Sequence, residues 1–430
     1  MKKILIKNGL LLNKEGIEII GDILIQDSVI LEISDTIEDA KADTIDVKQR
    51  YVLPGLIDMH CCICEPGYEH KEDISSVSKS AVKGGYTSIC CLPDTNPVID
   101  NKTVVNYILS RSREISKVNI FPYGSMTKGC KGEEIAEIGD MKEAGIAAIS
   151  DGDVSVQDAG LMRNILLYSR MFDIPVISFC EDAGLSRGGV MNRGEASTLM
   201  GLNGIPREAE EVIAARNILL AKYTGARLHI PLISTKGTVE LIRIAKNMGV
   251  RLSCDTAPRY FTLTEDAVSS FNTLAKTRPP LRTQEDVEAI VHGLADGTID
   301  AIVSGHAPEA YESKRVEFDR ASYGFSAIET AFALSYEALV QTGLLPLPEL
   351  IKRMAETPAW LLGLEEKGEL RPGADADLIV VDTNDCYTIN SAHFASRAKY
   401  SPYDGKEVKS KVIMTIVGGE VVYLDTSGTV

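Results

Sequence analysis

Eight short apolar segments alternate with amphipathic helical stretches between residues 56 and 304, and this alternation constrains the fold more than any other feature. Strands separated by helices pair in parallel, and eight such units close into an α/β structure, the (β/α)8 TIM-like barrel. Chemistry in such a barrel resides in the residues that follow each strand. The predicted strands are 56–62, 87–92, 119–123, 147–150, 175–179, 227–233, 251–254 and 301–304.

Both ends of the chain have a different pattern, in which short β-type runs are punctuated by Gly, Asn and Asp. The N-terminal runs predict a small antiparallel sheet, and the pair Gly418-Gly419 predicts a hairpin near the C-terminus. Chain termini commonly lie close together. We therefore predict that residues 1–52 and 366–430 form one β-sandwich domain, and that residues 53–365 form the barrel.

Composition narrows the class of protein. The net charge is −16 and the calculated isoelectric point is about 5.0, which argues against binding to nucleic acid or to an anionic membrane surface. No run reaches 18 apolar residues, so no membrane span is predicted and a cytoplasmic protein is expected. The nine cysteines are then expected to be reduced. The single tryptophan, Trp360, lies in an apolar helical context and is predicted to be in the core.

The first barrel strand leads into a segment that contains His60, Cys62 and Cys64, whose side chains can point the same way because side chains alternate along a strand. The segment 53–67 resembles the signature of cyclic amidohydrolases, above all of the dihydroorotases. In that family two histidines separated by one residue bind a zinc pair, and a nearby arginine holds the substrate carboxylate. Here Cys62 stands at the place of the second histidine and Cys64 at that of the arginine.

Further motifs extend the resemblance over nearly the whole chain. None of them is specific alone, but their common order is specific, and it implies an amidohydrolase-type barrel. The motifs are Cys91-Leu92-Pro93-Asp94-Thr95-Asn96-Pro97, Gly201-Leu202-Asn203-Gly204-Ile205-Pro206, Ser234-Thr235-Lys236-Gly237, Pro279-Pro280-Leu281-Arg282 and Pro372-Gly373-Ala374-Asp375-Ala376-Asp377.

The resemblance also implies that most metal ligands are replaced. Asp151 stands at the place of the family's bridging carboxylate. Phe179 and Leu232 stand where the family has histidines, and Gly305 stands where an aspartate orients the attacking hydroxide and acts as general base. The positions that contact substrate in the family are replaced as well, and they are Cys64, Asp94, Arg278 and Glu309.

Hydrolysis of an unactivated cyclic amide needs a strong nucleophile, which a zinc pair makes by lowering the pKa of bound water towards about 7. Phe179 and Leu232 have no lone pair for a cation, and Gly305 cannot deprotonate water. Such a base contributes roughly 10²–10⁴-fold to a rate. The first hypothesis is therefore a non-catalytic dihydroorotase homologue.

Two alternatives remain open. In the first, His60, Cys62, Cys64 and Asp151 form a single remodelled zinc site in a working hydrolase, since cysteine is a good zinc ligand. In the second, the chain is a true dihydroorotase that tolerates the replacements. Against the zinc site, buried cysteines often act as small hydrophobes, and we favour this space-filling interpretation. His229 and His306 also fall at strand ends, where a structural role is favoured over metal binding.

The resemblance also implies partners. A homodimer is expected by analogy with the family. In related systems an inactive dihydroorotase-like chain assembles with aspartate carbamoyltransferase, so a structural or regulatory role in pyrimidine biosynthesis is the expectation for this chain. Fold alone does not give function.

Overall fold

The computed structural model describes residues 2–12 and 16–425, so residues 1, 13–15 and 426–430 of the predicted β domain lie outside the described residues. Eight parallel strands form the central sheet in the order β6-β7-β8-β9-β10-β13-β14-β15. They are β6 Leu56–Cys61, β7 Tyr86–Cys91, β8 Asn119–Gly124, β9 Ala148–Ser150, β10 Val176–Ile177, β13 Leu228–Ile230, β14 Leu252–Thr256 and β15 Ala301–Ile302.

The sheet closes on itself. Cys61 bridges His306 in parallel, just beyond β15, and the Cys62 amide donates to the His306 carbonyl over 3.0 Å. All eight predicted strands are present, and the predicted barrel is confirmed. Buried apolar side chains form an inner cluster that includes Ile57 and Tyr123 and an outer cluster, between strands and helices, that includes Leu56.

Helices follow the barrel strands and cover the sheet. Amphipathic helices alternate with the strands, as the sequence pattern predicts. The helices are α1 Ile74–Lys83, α2 Lys102–Ile115, α3 Ile138–Ala144, α4 Ala159–Met171, α5 Glu195–Met200, α6 Glu208–Thr224, α7 Lys236–Asn247, α8 Arg259–Thr262, α9 Gln284–Ala295, α10 Tyr311–Lys314, α11 Ala331–Ser335, α12 Leu347–Ile351 and α13 Thr357–Leu362. A short excursion between α4 and α6 holds the two-stranded sheet of β11 Met191–Asn192 and β12 Gly204–Ile205.

The two chain ends together form a second, β-rich domain. Its strands make one hydrogen-bonded sheet in the order β18-β17-β16-β5-β1-β2-β3, with β4 also paired to β1. Contrary to the all-antiparallel prediction, β4 and β5 pair with β1 in parallel. The strands are β1 Lys3–Leu12, β2 Glu18–Gln26, β3 Val29–Ser34, β4 Asp43–Asp46, β5 Tyr51–Pro54, β16 Leu378–Thr388, β17 Glu407–Val417 and β18 Glu420–Leu424.

The predicted turn at Gly418-Gly419 joins β17 to β18 as a hairpin. Both glycines have positive φ, 54° and 75°, as a two-residue turn that matches the twist of the strands requires. This prediction is confirmed.

Trp360 is not in the core, and that prediction is wrong. Its side chain is 75% exposed. The six-residue helix α13 buries Pro358, Ala359, Leu361 and Leu362, so the helical period turns Trp360 outwards. Among the described residues, no helix combines the length and the apolar character needed to cross a bilayer.

Asp377 ties the β-rich domain to the barrel. One carboxylate oxygen accepts from the Gly418 amide over 2.7 Å. The other accepts from the Asn119 side chain at the start of β8 over 2.9 Å and from the Lys367 ammonium over 2.7 Å. The Asp377 side chain is 5% exposed, so these bonds lie in a desolvated environment where a missing partner is costly.

Replacing Asp377 with Ala is expected to lower the free energy of unfolding by about 3 kcal/mol, because Lys367 and Asn119 lose a buried acceptor. Asp375 is a matched control, since it also pairs with Lys367 over 2.7 Å but is 39% exposed. Asp375→Ala should cost less than about 1 kcal/mol. Urea denaturation of both variants measures the difference, and equal losses would contradict the role of Asp377.

Candidate functional site

His60, at the carboxyl end of β6, lies at the centre of the barrel mouth. It is 2% exposed, its Nε2 is 3.6 Å from Asp153 Oδ1, and its Nδ1 has no hydrogen-bond partner among the described residues. Burial opposes the charged form of His60. The nearby carboxylate of Asp153 outweighs that effect and raises the pKa of the imidazole.

The Asp151 carboxylate accepts hydrogen bonds from the loop after β8. Its Oδ1 accepts from the backbone amides of Met126 and Thr127 over 2.8 and 3.0 Å, and its Oδ2 accepts from the Thr127 hydroxyl over 2.5 Å. The carboxylate therefore holds the loop after β8. The bridging role of Asp151 stays a prediction.

Asp153, which sequence reasoning missed, provides the carboxylate nearest the ring. Gly152 has a φ of +61°, and the chain turns there, so the second acid of the Asp-Gly-Asp sequence points at His60. The second acid in the sequence Asp151-Gly152-Asp153 was the feature that could have identified Asp153 as a site residue.

Cys62 and Cys64 lie close to Asp94. Cys62 is 8% exposed, and its Sγ is 3.8 Å from Asp94 Oδ2. Burial, and next the charge of Asp94, raises the pKa of both thiols well above the ordinary value. The surface of Asp94 is exposed, but the protein atoms around it remove part of its hydration. This desolvation, and next the negative charge of Asp153, raises the pKa of Asp94 to about 6. Protonated thiols are poor nucleophiles and poor metal ligands.

Phe179 and Leu232 occupy their predicted strand-end positions and are each 1% exposed. The Arg278 guanidinium lies 5.8 Å from the centre of the Phe179 ring. Leu232 belongs to the same inner apolar cluster as Cys62. Carbon atoms therefore fill the space at these two strand ends.

The two remaining predicted substrate positions are paired with neighbouring charged side chains. Arg278 forms two hydrogen bonds with Glu181, one of them over 3.2 Å from Nε. Glu309 accepts from the Lys71 ammonium over 2.9 Å. Both Arg278 and Glu309 are thus engaged within the protein rather than left free for an anionic or cationic group of a substrate.

Arg259 occupies the space beside Gly305 and was missed by sequence reasoning. Its Nη1 donates to the Gly305 carbonyl over 2.6 Å, and the side chain is 3% exposed. A Cβ atom built on Gly305 would lie 2.6 to 2.8 Å from three guanidinium atoms, and Gly305 has a φ of +62°. A side chain at position 305 would therefore require the Arg259 guanidinium to shift.

His229 and His306 have structural partners. Both ring nitrogens of His229 are within 2.8 Å of an oxygen, one on Ser253 and one on Asp255. His306 Nδ1 accepts from the Ala327 amide over 3.2 Å, and its Nε2 is 3.4 Å from a carboxylate oxygen of Glu72. These contacts agree with a structural role for both rings.

The zinc pair that the resemblance implies does not fit the residues present. Phe179 and Leu232 offer only carbon, Gly305 has no side chain, and the carboxylate of Asp151 is bonded to the loop after β8. Within residues 2–12 and 16–425, no three His, Cys, Asp or Glu side chains are grouped so that they could hold a metal ion. The predicted single site of His60, Cys62, Cys64 and Asp151 is thus not assembled in this arrangement.

The fold is that of the amidohydrolases. L-hydantoinase (dihydropyrimidinase) from Arthrobacter aurescens superposes with a TM-score of 0.90 at 26% identity, over 100% of this chain and 98% of that one. Dihydropyrimidinase from Brevibacillus agri NCHU1002 shares the fold with a TM-score of 0.87 at 21% identity, over 99% and 96%. Residues 324–423 match the amidohydrolase family.

Sequence relatives define the family more closely. Residues 49–238 match the dihydro-orotase-like family. A dihydroorotase from Acetivibrio thermocellus is 48% identical over 97% of this chain and 98% of its own length. A dihydroorotase from Thermoanaerobacter sp. is 46% identical over 98% and 97%. The chain belongs to the dihydroorotase family.

We expect Gly305→Ala to destabilise the protein by about 2–4 kcal/mol, because the new Cβ meets Arg259 in addition to the strain of a positive φ. Gly152→Ala is a matched control, since Gly152 has a φ of +61° but its nearest neighbour is an ordinary contact at 3.6 Å. It should cost only about 1–2 kcal/mol. Urea denaturation provides both values.

Making Gly305→Ala in an Arg259→Ala background separates the cost of the contact with Arg259 from the cost of the strained backbone at position 305. There Gly305→Ala should cost no more than the control, since the guanidinium is gone. An unchanged cost in the two backgrounds would show that Arg259 does not exclude a side chain at position 305.

Proposed function

We propose that this member of the dihydroorotase family is non-catalytic and serves as a structural or regulatory partner in pyrimidine biosynthesis. The observation that carries the proposal is the buried Arg259 guanidinium, which contacts Gly305 where the family has its general base. A buried guanidinium fills the place in which the general base would stand. Arginine stays protonated at neutral pH and cannot take the proton from an attacking water.

The charge balance of the mouth supports the same proposal. In a metal-dependent hydrolase the cations polarise the carbonyl and generate hydroxide. Here the positive charge near His60 comes from Arg259 and Arg278, and both also stabilise the ionised form of Asp153. A guanidinium balances the charge of the Asp153 carboxylate as a metal ion would, but it cannot coordinate a water molecule. It therefore provides no site at which water could be activated.

Metal content and turnover test this proposal together. The protein, purified without chelator, is expected to contain well below one zinc ion per chain by elemental analysis. Its hydrolysis of dihydroorotate should be at least about 10⁴-fold slower than that of an active enzyme, since both metal activation and the base are missing. The dihydroorotase of Acetivibrio thermocellus, 48% identical, is the matched positive control. One or two zinc ions per chain with turnover near that control would overturn the proposal.

The second candidate is an active cyclic amidohydrolase, either a dihydroorotase or an enzyme with an altered substrate and a remodelled, partly cysteine-ligated zinc site. The similarity over 97% of the chain to relatives named dihydroorotase favours it. Its signature differs from the first proposal. Turnover would be lost in His60→Ala and Cys62→Ala variants together with their zinc, whereas a non-catalytic chain has neither to lose.

For the partner we propose a homodimer or a complex with a pyrimidine-pathway enzyme, of which aspartate carbamoyltransferase is the first choice by analogy with the family. Sedimentation velocity of the chain alone and mixed with the aspartate carbamoyltransferase of the same organism tests this. A faster boundary that contains both chains supports the complex. Two unchanged boundaries at micromolar concentration contradict it.

A further inference from the structure

A cavity of about 490 Å³ opens at the amino end of the barrel strands, opposite the mouth that contains His60. Arg227 and Arg251 line it and directly precede β13 and β14, which places it at the face where barrels ordinarily carry no active site. A volume of this size suits a small organic molecule. Arg227, Arg251 and Trp360, which line this cavity, are not among the predicted site residues of the mouth.

Apolar side chains line part of the cavity, beside the buried polar residues His229 and Ser253. Met59, Ile177 and Leu361 line it, and all three belong to the inner cluster of the barrel. Met59 and Ile177 are almost fully buried, with 2% and 1% of their surface exposed. The cavity thus reaches from solvent to the side chains that fill the barrel, and its floor can accept an apolar group.

Trp360 stands at the rim of this cavity and is 75% exposed. Exposed tryptophan is costly in water and is enriched where an aromatic ring contacts a partner molecule. Its indole lies beside the entrance, where a flat group that enters the apolar floor can pack against it. The lone exposed indole therefore points to an aromatic or otherwise planar ligand.

The rim also carries an excess of positive charge. Arg251 Nη2 is 3.2 Å from one oxygen of Asp173, and Arg227 Nη1 is 3.7 Å from the other. Two guanidinium groups thus share one carboxylate in a chain whose net charge is −16. Arg227 is fixed by a 2.5 Å hydrogen bond to the Leu361 carbonyl. Arg251 is 53% exposed and also donates to the Gly225 carbonyl over 3.5 Å. Because it is solvent-exposed, it can exchange these contacts for an anion.

We propose that this cavity binds a small amphipathic anion, with a planar apolar body placed between the barrel floor and Trp360 and with its carboxylate, sulfonate or phosphate group at Arg251. Apolar burial supplies affinity, and the guanidinium selects negative charge because it can form a bidentate, charge-assisted hydrogen bond with such groups. This site is independent of any hydrolase activity at the mouth.

Trp360 is the only tryptophan of the chain, so all tryptophan fluorescence comes from the rim of this cavity, and the variants below locate the bound probe. The probe is 8-anilinonaphthalene-1-sulfonate, an aromatic monoanion that accepts energy from indole. Titration of the folded protein should quench Trp360 saturably with a stoichiometry of one. N-phenyl-1-naphthylamine, which has the same aromatic body without the sulfonate, should bind at least about tenfold more weakly, the loss expected for one charge-assisted hydrogen bond.

Two charge-reversal variants locate the anion. Arg251→Glu should weaken sulfonate binding by about tenfold or more. Arg243→Glu is the matched control, because Arg243 is a comparably exposed arginine on α7 paired with Asp296 and does not line the cavity. It should leave binding unchanged, and circular dichroism verifies that both variants are folded.

Three results would overturn the proposal. They are no saturable quenching of Trp360, equal binding of the neutral analogue, and equal binding by the Arg251→Glu and Arg243→Glu variants. Equal binding of both probes to both variants would indicate a merely adhesive apolar surface, such as one that contacts another protein.

Discussion

Parallel closure of eight strands forces the residues that follow each strand into one small volume, and the rest of this structure depends on that constraint. Strand ends far apart in the sequence, at His60, Phe179, Leu232 and Gly305, meet at one mouth. Whatever stands at these positions decides whether cations can be held there. In this chain the same geometry brings together apolar side chains and paired charges.

Paired charges line the mouth around His60. Asp153 faces His60 and is stabilised in its ionised form by His60, Arg278 and Arg259. Glu309 is paired with Lys71. Such pairs satisfy buried charge locally, and removal of one member leaves its partner uncompensated. This balance explains how a family barrel keeps its architecture when the donors for a metal pair are replaced.

The fold could be predicted from the sequence because strand and helix periodicity are local signals. All eight barrel strands, and the turn at Gly418-Gly419, follow from such patterns. Pairing of β4 and β5 with β1 could not be predicted, since it depends on contacts between distant segments. Trp360 was placed wrongly because apolar composition does not reveal which side of a short helix faces solvent.

The candidate site was predictable only in part. Matching motifs located the replaced positions at Phe179, Leu232 and Gly305. Nothing in the sequence indicated that Arg259 belongs to the site, because it begins α8 and lies 46 residues before Gly305, whose carbonyl it binds. The most direct test is a crystal structure with anomalous data at the zinc edge, from crystals grown in excess zinc. We predict no anomalous peak at the strand ends, with the Arg259 guanidinium against Gly305. Two adjacent peaks beside His60, bridged by a carboxylate, would contradict this account.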